Sequence, residues 1–219
     1  MKKMTKLMRA SCVVSLVPLV LLALCWRSLP AQVPTNWGFD GTVTYSDKWN
    51  LLLVACMSPL FAVLLPLAAR IDPRRQNVEK FRGSFDLFCL VLQLFLLVIN
   101  GIILIESYRP GTVDVKTVVM LGLGLMFAVL GNIAPRFRHN YFIGLRTPWT
   151  LASETVWTRT HRLYGRLMFA LGLVMMAAAF LPDIWSFAVA IGGVIVLTLS
   201  AYVYSYVCFQ QEQRAQDQT

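Results

Sequence analysis

The chain alternates long uncharged apolar runs with short connections that hold nearly all of its charge, and the runs lack the every-second-residue alternation of half-buried strands. Six runs are long enough to be membrane spans, given about 20 residues at about 1.5 Å each for a hydrocarbon core of about 30 Å. They cover residues 10–26, 49–69, 84–105, 117–134, 164–181 and 184–207. Each is expected to be helical, because hydrocarbon offers no partner to free backbone groups. The first run follows Lys2, Lys3, Lys6 and Arg9, as a secretory signal would, but its length and the lack of an A-x-A site after it favour an uncleaved span.

Composition agrees with this pattern. Of 219 residues 57% are hydrophobic and 14% charged, where soluble domains carry roughly 45–50% and about 25%. The formal net charge of +9 would suit nucleic-acid binding only if the basic residues shared one soluble face, and they instead flank apolar runs. Direct nucleic-acid binding is therefore not expected. Sixteen basic residues lie in the two tails and in the connections 70–83 and 135–166, against four in the alternate connections. The positive-inside rule then puts both termini in the cytoplasm. The expected fold is an all-α integral membrane protein, a six-helix bundle. Residues 1–110 hold three spans and an extracellular loop at 27–48, and residues 111–219 hold three spans and a cytoplasmic loop at 135–163.

Candidate chemistry is sparse. The five cysteines lie within or beside apolar runs without a CxxC pair, so neither a disulfide framework nor a metal site is expected. His139 and His161 are the only histidines, and no H-E-x-x-H or G-x-S-x-G occurs, so no catalytic residues, cofactor or enzyme activity are expected. Gln93, Asn100 and Asn132 interrupt the spans and read as interhelical hydrogen-bonding groups or, in an alternative reading, as the polar path of a small-molecule or lipid transporter or channel. Pro59 and Pro66 predict kinks in the second span, and Gly122, Gly124 and Gly131 predict close packing of the fourth. Together these two spans are expected to frame a cavity opening toward the outer loop.

The most distinctive segment is Asn140 through Thr150, which includes Gly144-Leu145-Arg146-Thr147-Pro148-Trp149-Thr150. Pro148 disfavours helix at Thr147, and Thr150 reads as an N-cap for a helix whose first turn holds Glu154. Val156, Trp157, Leu163, Tyr164 and Leu167 then form an apolar stripe at helical spacing. This segment resembles the SdpI family of bacterial membrane proteins, whose members share Asn, Gly-Ile-Arg-Thr-Pro-Trp-Thr, Ser-Glu, Trp and Thr-His. The matching positions are Asn140, Gly144, Arg146, Thr147, Pro148, Trp149, Thr150, Ser153, Glu154, Trp157, Thr160 and His161, with Leu145 in place of isoleucine.

A second resemblance lies in the outer loop, similar to an amino-terminal domain of unknown function found in many relatives. Leu29, Pro30, Val33, Pro34, Thr35, Trp37, Gly41 and Lys48 match it, while Asn36 replaces the usual histidine. An amide neither titrates near neutral pH nor ligates zinc well, so a titrating or metal-binding role outside is not expected. The family resemblance implies a protein of the bacterial plasma membrane that confers resistance to a secreted toxic peptide. It also implies signalling by holding a transcriptional repressor at the membrane. Trp37, Tyr45 and Trp49 are the expected anchors for the extracellular peptide, and Arg146 the expected donor to a cytosolic partner.

Overall fold

The computed structural model describes residues 4–38 and 41–218, so Lys2 and Lys3 of the basic tail and residues 39–40 of the outer loop lie outside the described residues. Thr5 accepts the Met8 N–H and starts α1 (Lys6–Cys25). A hairpin of β1 (Gln32–Trp37) and β2 (Val43–Asp47) follows, then α2 (Asn50–Ile71), α3 (Arg75–Lys80) and α4 (Arg82–Tyr108). Asp114 accepts the Thr117 N–H to cap α5 (Val115–Ile133). A single 3-10 turn at Ala134–Arg136 leads through an irregular segment to α6 (Pro148–Ala152), α7 (Glu154–Ala178) and α8 (Asp183–Gln216).

The fold is helical with one departure from the all-α expectation. Residues 32–47 form an antiparallel hairpin with a bulge at Thr35, between the Pro34–Tyr45 and Asn36–Thr44 pairs. Val43, Thr44 and Tyr45 favour extended backbone, and Gly41 takes a φ of +80° in the turn. Both preferences are local, but strands this short needed the helix ends beneath them to be stable. Val33 of β1 and Leu29 are buried with Leu22, Leu51, Ala55 and Ile103, which seats the hairpin on one end of α1, α2 and α4.

Helices α1, α2 and α4 pack on one another, α7 lies between α5 and α8, and the two groups meet along α4 and α5. Five described helices are long and apolar enough to cross a membrane: α1, α2, α4, α5 with its 3-10 extension, and α8. The expected fifth span begins inside α7, whose first half is polar, so α7 does not join them on length and composition.

Small residues set the α5–α7 spacing. A Cβ on Gly131 would stand 2.6 Å from the Gly165 carbonyl oxygen, and one on Gly172 would stand 2.5 Å from that of Gly124. Backbones this close gain dispersion contact that larger side chains would prevent. The fourth-span glycines therefore serve α7; only Gly122 faces elsewhere, toward Phe95 of α4. The expected cavity between α2 and α5 is replaced by this contact, and the space near the outer loop, beside Pro18, Leu51 and Asn100, measures only about 10 Å³.

Candidate functional site

The motif segment is a hydrogen-bonded block seated on the α2–α4 connection. Asn140 is fully buried; its Oδ1 accepts the Phe142 and Ile143 N–H groups at 3.0 and 2.6 Å, while its amide donates to the Arg138 and Ile143 carbonyls. Asp72, 2% exposed, reaches across from the end of α2. Its Oδ2 accepts the Tyr141 and Phe142 N–H groups at 2.8 and 3.2 Å, and its Oδ1 accepts the Arg74 N–H. Asn77 of α3 donates to the His139 carbonyl at 2.9 Å, and the Arg74 guanidinium lies 5.0 Å from the Tyr141 ring centroid.

Trp157, fully buried, is the centre of the block. Its indole donates to the Phe137 carbonyl at 2.8 Å, His161 stacks on it at 4.1 Å, and His139 tilts against it at 5.2 Å. The Leu145 N–H donates to His161 Nε2 at 3.0 Å, so Nδ1 carries the proton and donates to the Trp157 carbonyl at 2.9 Å. Burial pushes the His161 imidazole down to about 4, which keeps it neutral. His139 is also held below its ordinary value, by burial and by Arg74, whose guanidinium faces its Nδ1; its Nε2 meets the Leu151 carbonyl. Gly144 lies beside this ring pair with φ +105°, and a Cβ there would stand 2.5 Å from His161 Nε2. A side chain is excluded twice, by backbone conformation and by the imidazole.

The expected cap at Thr150 is displaced. Thr147 is the N-cap of α6, accepting the Thr150 N–H at 3.1 Å while Thr150 Oγ1 accepts the Thr147 N–H at 2.8 Å; Ser153 caps α7. Pro148 occupies the first helical position of α6, where its missing N–H costs nothing, and the short helix ends before a second cap restarts the chain. Thr147 also bonds Ser205 of α8, and Trp149 packs on Tyr202 and Tyr206 of the same helix. Glu154 sits in the first turn of α7, as expected, and is exposed. Arg146 is exposed too, with one hydrogen bond to the Tyr141 carbonyl, so its remaining donors face outward.

At the opposite end the hairpin divides its residues. Pro34 is buried, Trp37 is half-buried against the core, and Asn36, Pro30 and Gly41 are exposed. Thr35 Oγ1 pairs with Ser46 Oγ at 2.9 Å across the bulge. Lys48 donates to the Trp26 carbonyl at 3.2 Å and lies over the Trp26 ring, which meets Trp49 edge-on. Trp49 is 64% exposed and Tyr45 46%. Of the three expected anchors, Tyr45 and Trp49 are presented and Trp37 is largely spent on packing.

The amides within the spans do not converge. Gln93 is locked to Ser58 of α2 through its amide group and the Ser58 hydroxyl and carbonyl; Asn100 bonds the Leu96 carbonyl of its own helix; Asn132 is exposed. Sequence reasoning passed over Asp72, Arg74 and Asn77. The one local signal was Asp72-Pro73, a carboxylate at a helix stop within an otherwise basic stretch.

Apolar helices, an aromatic hairpin at one end and a polar block at the other define a multi-pass helical protein of the plasma membrane. Residues 136–205 match the SdpI/YfhL protein family, and residues 13–67 match a domain of unknown function, DUF1648. The resemblance to the SdpI family read from the motif therefore stands. The chain is similar to the Immunity protein SdpI of Bacillus subtilis (strain 168), with 22% identity over 184 residues, 82% of this chain and 86% of that protein. No solved structure matches.

Proposed function

We propose that the chain is a membrane immunity protein that protects its host from a secreted, membrane-active peptide. The observation that carries this reading is similarity to an immunity protein along most of both chains, joined to the family match over the motif segment. Six spans with both termini in the cytoplasm complete the proposal. α7 becomes the fifth span because its residues from Gly165 onward lie antiparallel against α5, and the basic residues assign the sides.

In that orientation the hairpin faces the peptide, with Tyr45 and Trp49 as exposed aromatic anchors. Residues 1–110 act as the receiving half and residues 111–219 as the reporting half. Arg146 is the contact for a cytosolic partner, a transcriptional repressor held at the membrane, because the guanidinium donors not bonded to the Tyr141 carbonyl can pair with a carboxylate.

The test is survival of a sensitive bacterium expressing wild type, Tyr45→Ala/Trp49→Ala or Arg146→Ala at matched membrane levels, challenged with a panel of membrane-active peptides. Wild type is expected to protect against at least one peptide, the hairpin variant to lose protection, and Arg146→Ala to lose the peptide-dependent induction of a reporter gene placed under the repressor's control in the same cells. Equal protection by wild type and the hairpin variant would remove the hairpin from the mechanism. Protection by none against any peptide would count against immunity.

A further inference from the structure

A cavity of about 750 Å³ opens between the motif-side ends of α1, α2 and α4, bounded by α3. Its walls divide by chemistry. Met8, Val63, Pro66, Leu67 and Phe85 make an apolar channel, and Arg70, Arg75 and Arg82 bring guanidinium groups to its rim. Arg82 is committed to two carboxylates that also line the space, 3.4 Å from Glu79 and 3.9 Å from Asp86. Arg70 and Arg75 are exposed and have no ion pair or side-chain hydrogen bond among the described residues. Pro66 shapes the opening: it has no N–H to give the Ala62 carbonyl one turn earlier, and Ala62 lines the same space.

An apolar channel rimmed by two uncommitted arginines, at the depth where the apolar part of α2 ends, suits an amphiphile with an anionic head. Basic pockets between spanning helices attract anionic headgroups, and free arginines there are drawn toward phosphate. We propose that this cavity holds an anionic phospholipid of the motif-side leaflet, its phosphodiester on Arg70 and Arg75 and an acyl chain along Met8, Val63, Leu67 and Phe85. Naming that leaflet cytoplasmic rests on the orientation proposed above; the site itself does not rest on the immunity reading. α3 joins the two regions, because Arg75 lies on the cavity and Asn77, two residues on, holds the motif segment at His139. A bound lipid therefore stiffens the motif block from behind.

The experiment is native mass spectrometry of the full chain in detergent, titrated with phosphatidylglycerol or phosphatidylcholine. Phosphatidylglycerol is expected to bind about 30-fold more tightly, each of the two uncommitted arginines near an anionic head being worth about fivefold. Arg70→Gln/Arg75→Gln is expected to weaken phosphatidylglycerol by about 30-fold and to remove its preference over phosphatidylcholine. Ala62→Phe, which fills the channel and keeps both arginines, is expected to abolish preferential retention with an unchanged melting temperature. Equal binding of the two lipids by wild type would overturn the proposal, as would wild-type phosphatidylglycerol affinity in a folded form of either variant. Full displacement of the lipid by millimolar inorganic phosphate would overturn it in favour of a free-anion site. Should the double arginine variant not fold, the Ala62→Phe result decides alone.

Discussion

At the residue scale the motif is a set of mutual constraints around one imidazole. His161 must be neutral to accept the Leu145 N–H, and burial keeps it so down to about pH 4. A base whose folded pKa is depressed is protonated first in the unfolded chain, so stability is full above pH 6.5 and is lost as pH falls toward 4. The loss is about 3 kcal/mol across that window, and depressed His139 adds in the same direction. Thermal melting of the detergent-solubilised chain from pH 7.5 to 4 measures it; His161→Gln should be less stable at pH 7.5 and flatter with pH. Gly144→Ala is expected to cost about 1–3 kcal/mol, because φ +105° is strained for alanine and its methyl meets the imidazole. Asp72→Ala is expected to cost about 2–3 kcal/mol by leaving the Tyr141 and Arg74 N–H groups without their acceptor, while Phe142 keeps Asn140, read as faster hydrogen exchange at Tyr141.

Those residues differ in how legible they were. Trp157 and His161 stand one helical turn apart, so their stacking could be read from spacing alone. Thr147 and Thr150 form a reciprocal pair three residues apart; which of them capped the helix depended on Pro148 starting α6 at once. Asp72 was invisible for a different reason. Its partners are backbone N–H groups on a distant connection, and backbone donors carry no residue identity for a sequence to display.

At the element scale the apolar runs located the long helices, because a span must be both long and continuous. What they hid was partnership. The glycines of the fourth span were visible, but their counterparts Gly165 and Gly172 matter only once α7 is laid antiparallel to α5. Gly172→Leu is expected to lower stability by about 3 kcal/mol or more, since the facing backbone cannot yield as a side chain would. Gly101→Ala is the control: an added methyl there meets no atom within 4 Å, and alanine is the better helix former, so its melting temperature should stay level or rise. The short elements α3 and α6 and the hairpin escaped prediction because each is held by tertiary contacts, through Asn77, Thr147 and Val33 respectively.

At the scale of the whole molecule, two polar surfaces lie at opposite ends of packed apolar helices. The hairpin is anchored to α1, α2 and α4 through Val33 and Leu29, and the motif block is anchored to the other ends of α2 and α4 through Asp72 and Phe81. Both therefore share the frame of α2 and α4, which Gln93 and Ser58 pin together within the apolar stretch. A peptide pressing on the hairpin acts on the same helices that seat Tyr141 and Phe142. This arrangement gives the proposed immunity protein a path between its receiving and reporting ends without a moving domain.

The most direct test of protection is the dose of a membrane-active peptide that collapses the membrane potential of intact cells, followed with a voltage-sensitive dye. Cells carrying the chain are compared with vector controls across a peptide panel. The immunity reading predicts that for at least one peptide the collapsing dose rises several-fold with the wild-type chain and returns to the vector value with Tyr45→Ala/Trp49→Ala. Identical doses for the wild-type chain and the vector with every peptide, at verified membrane expression, would contradict it.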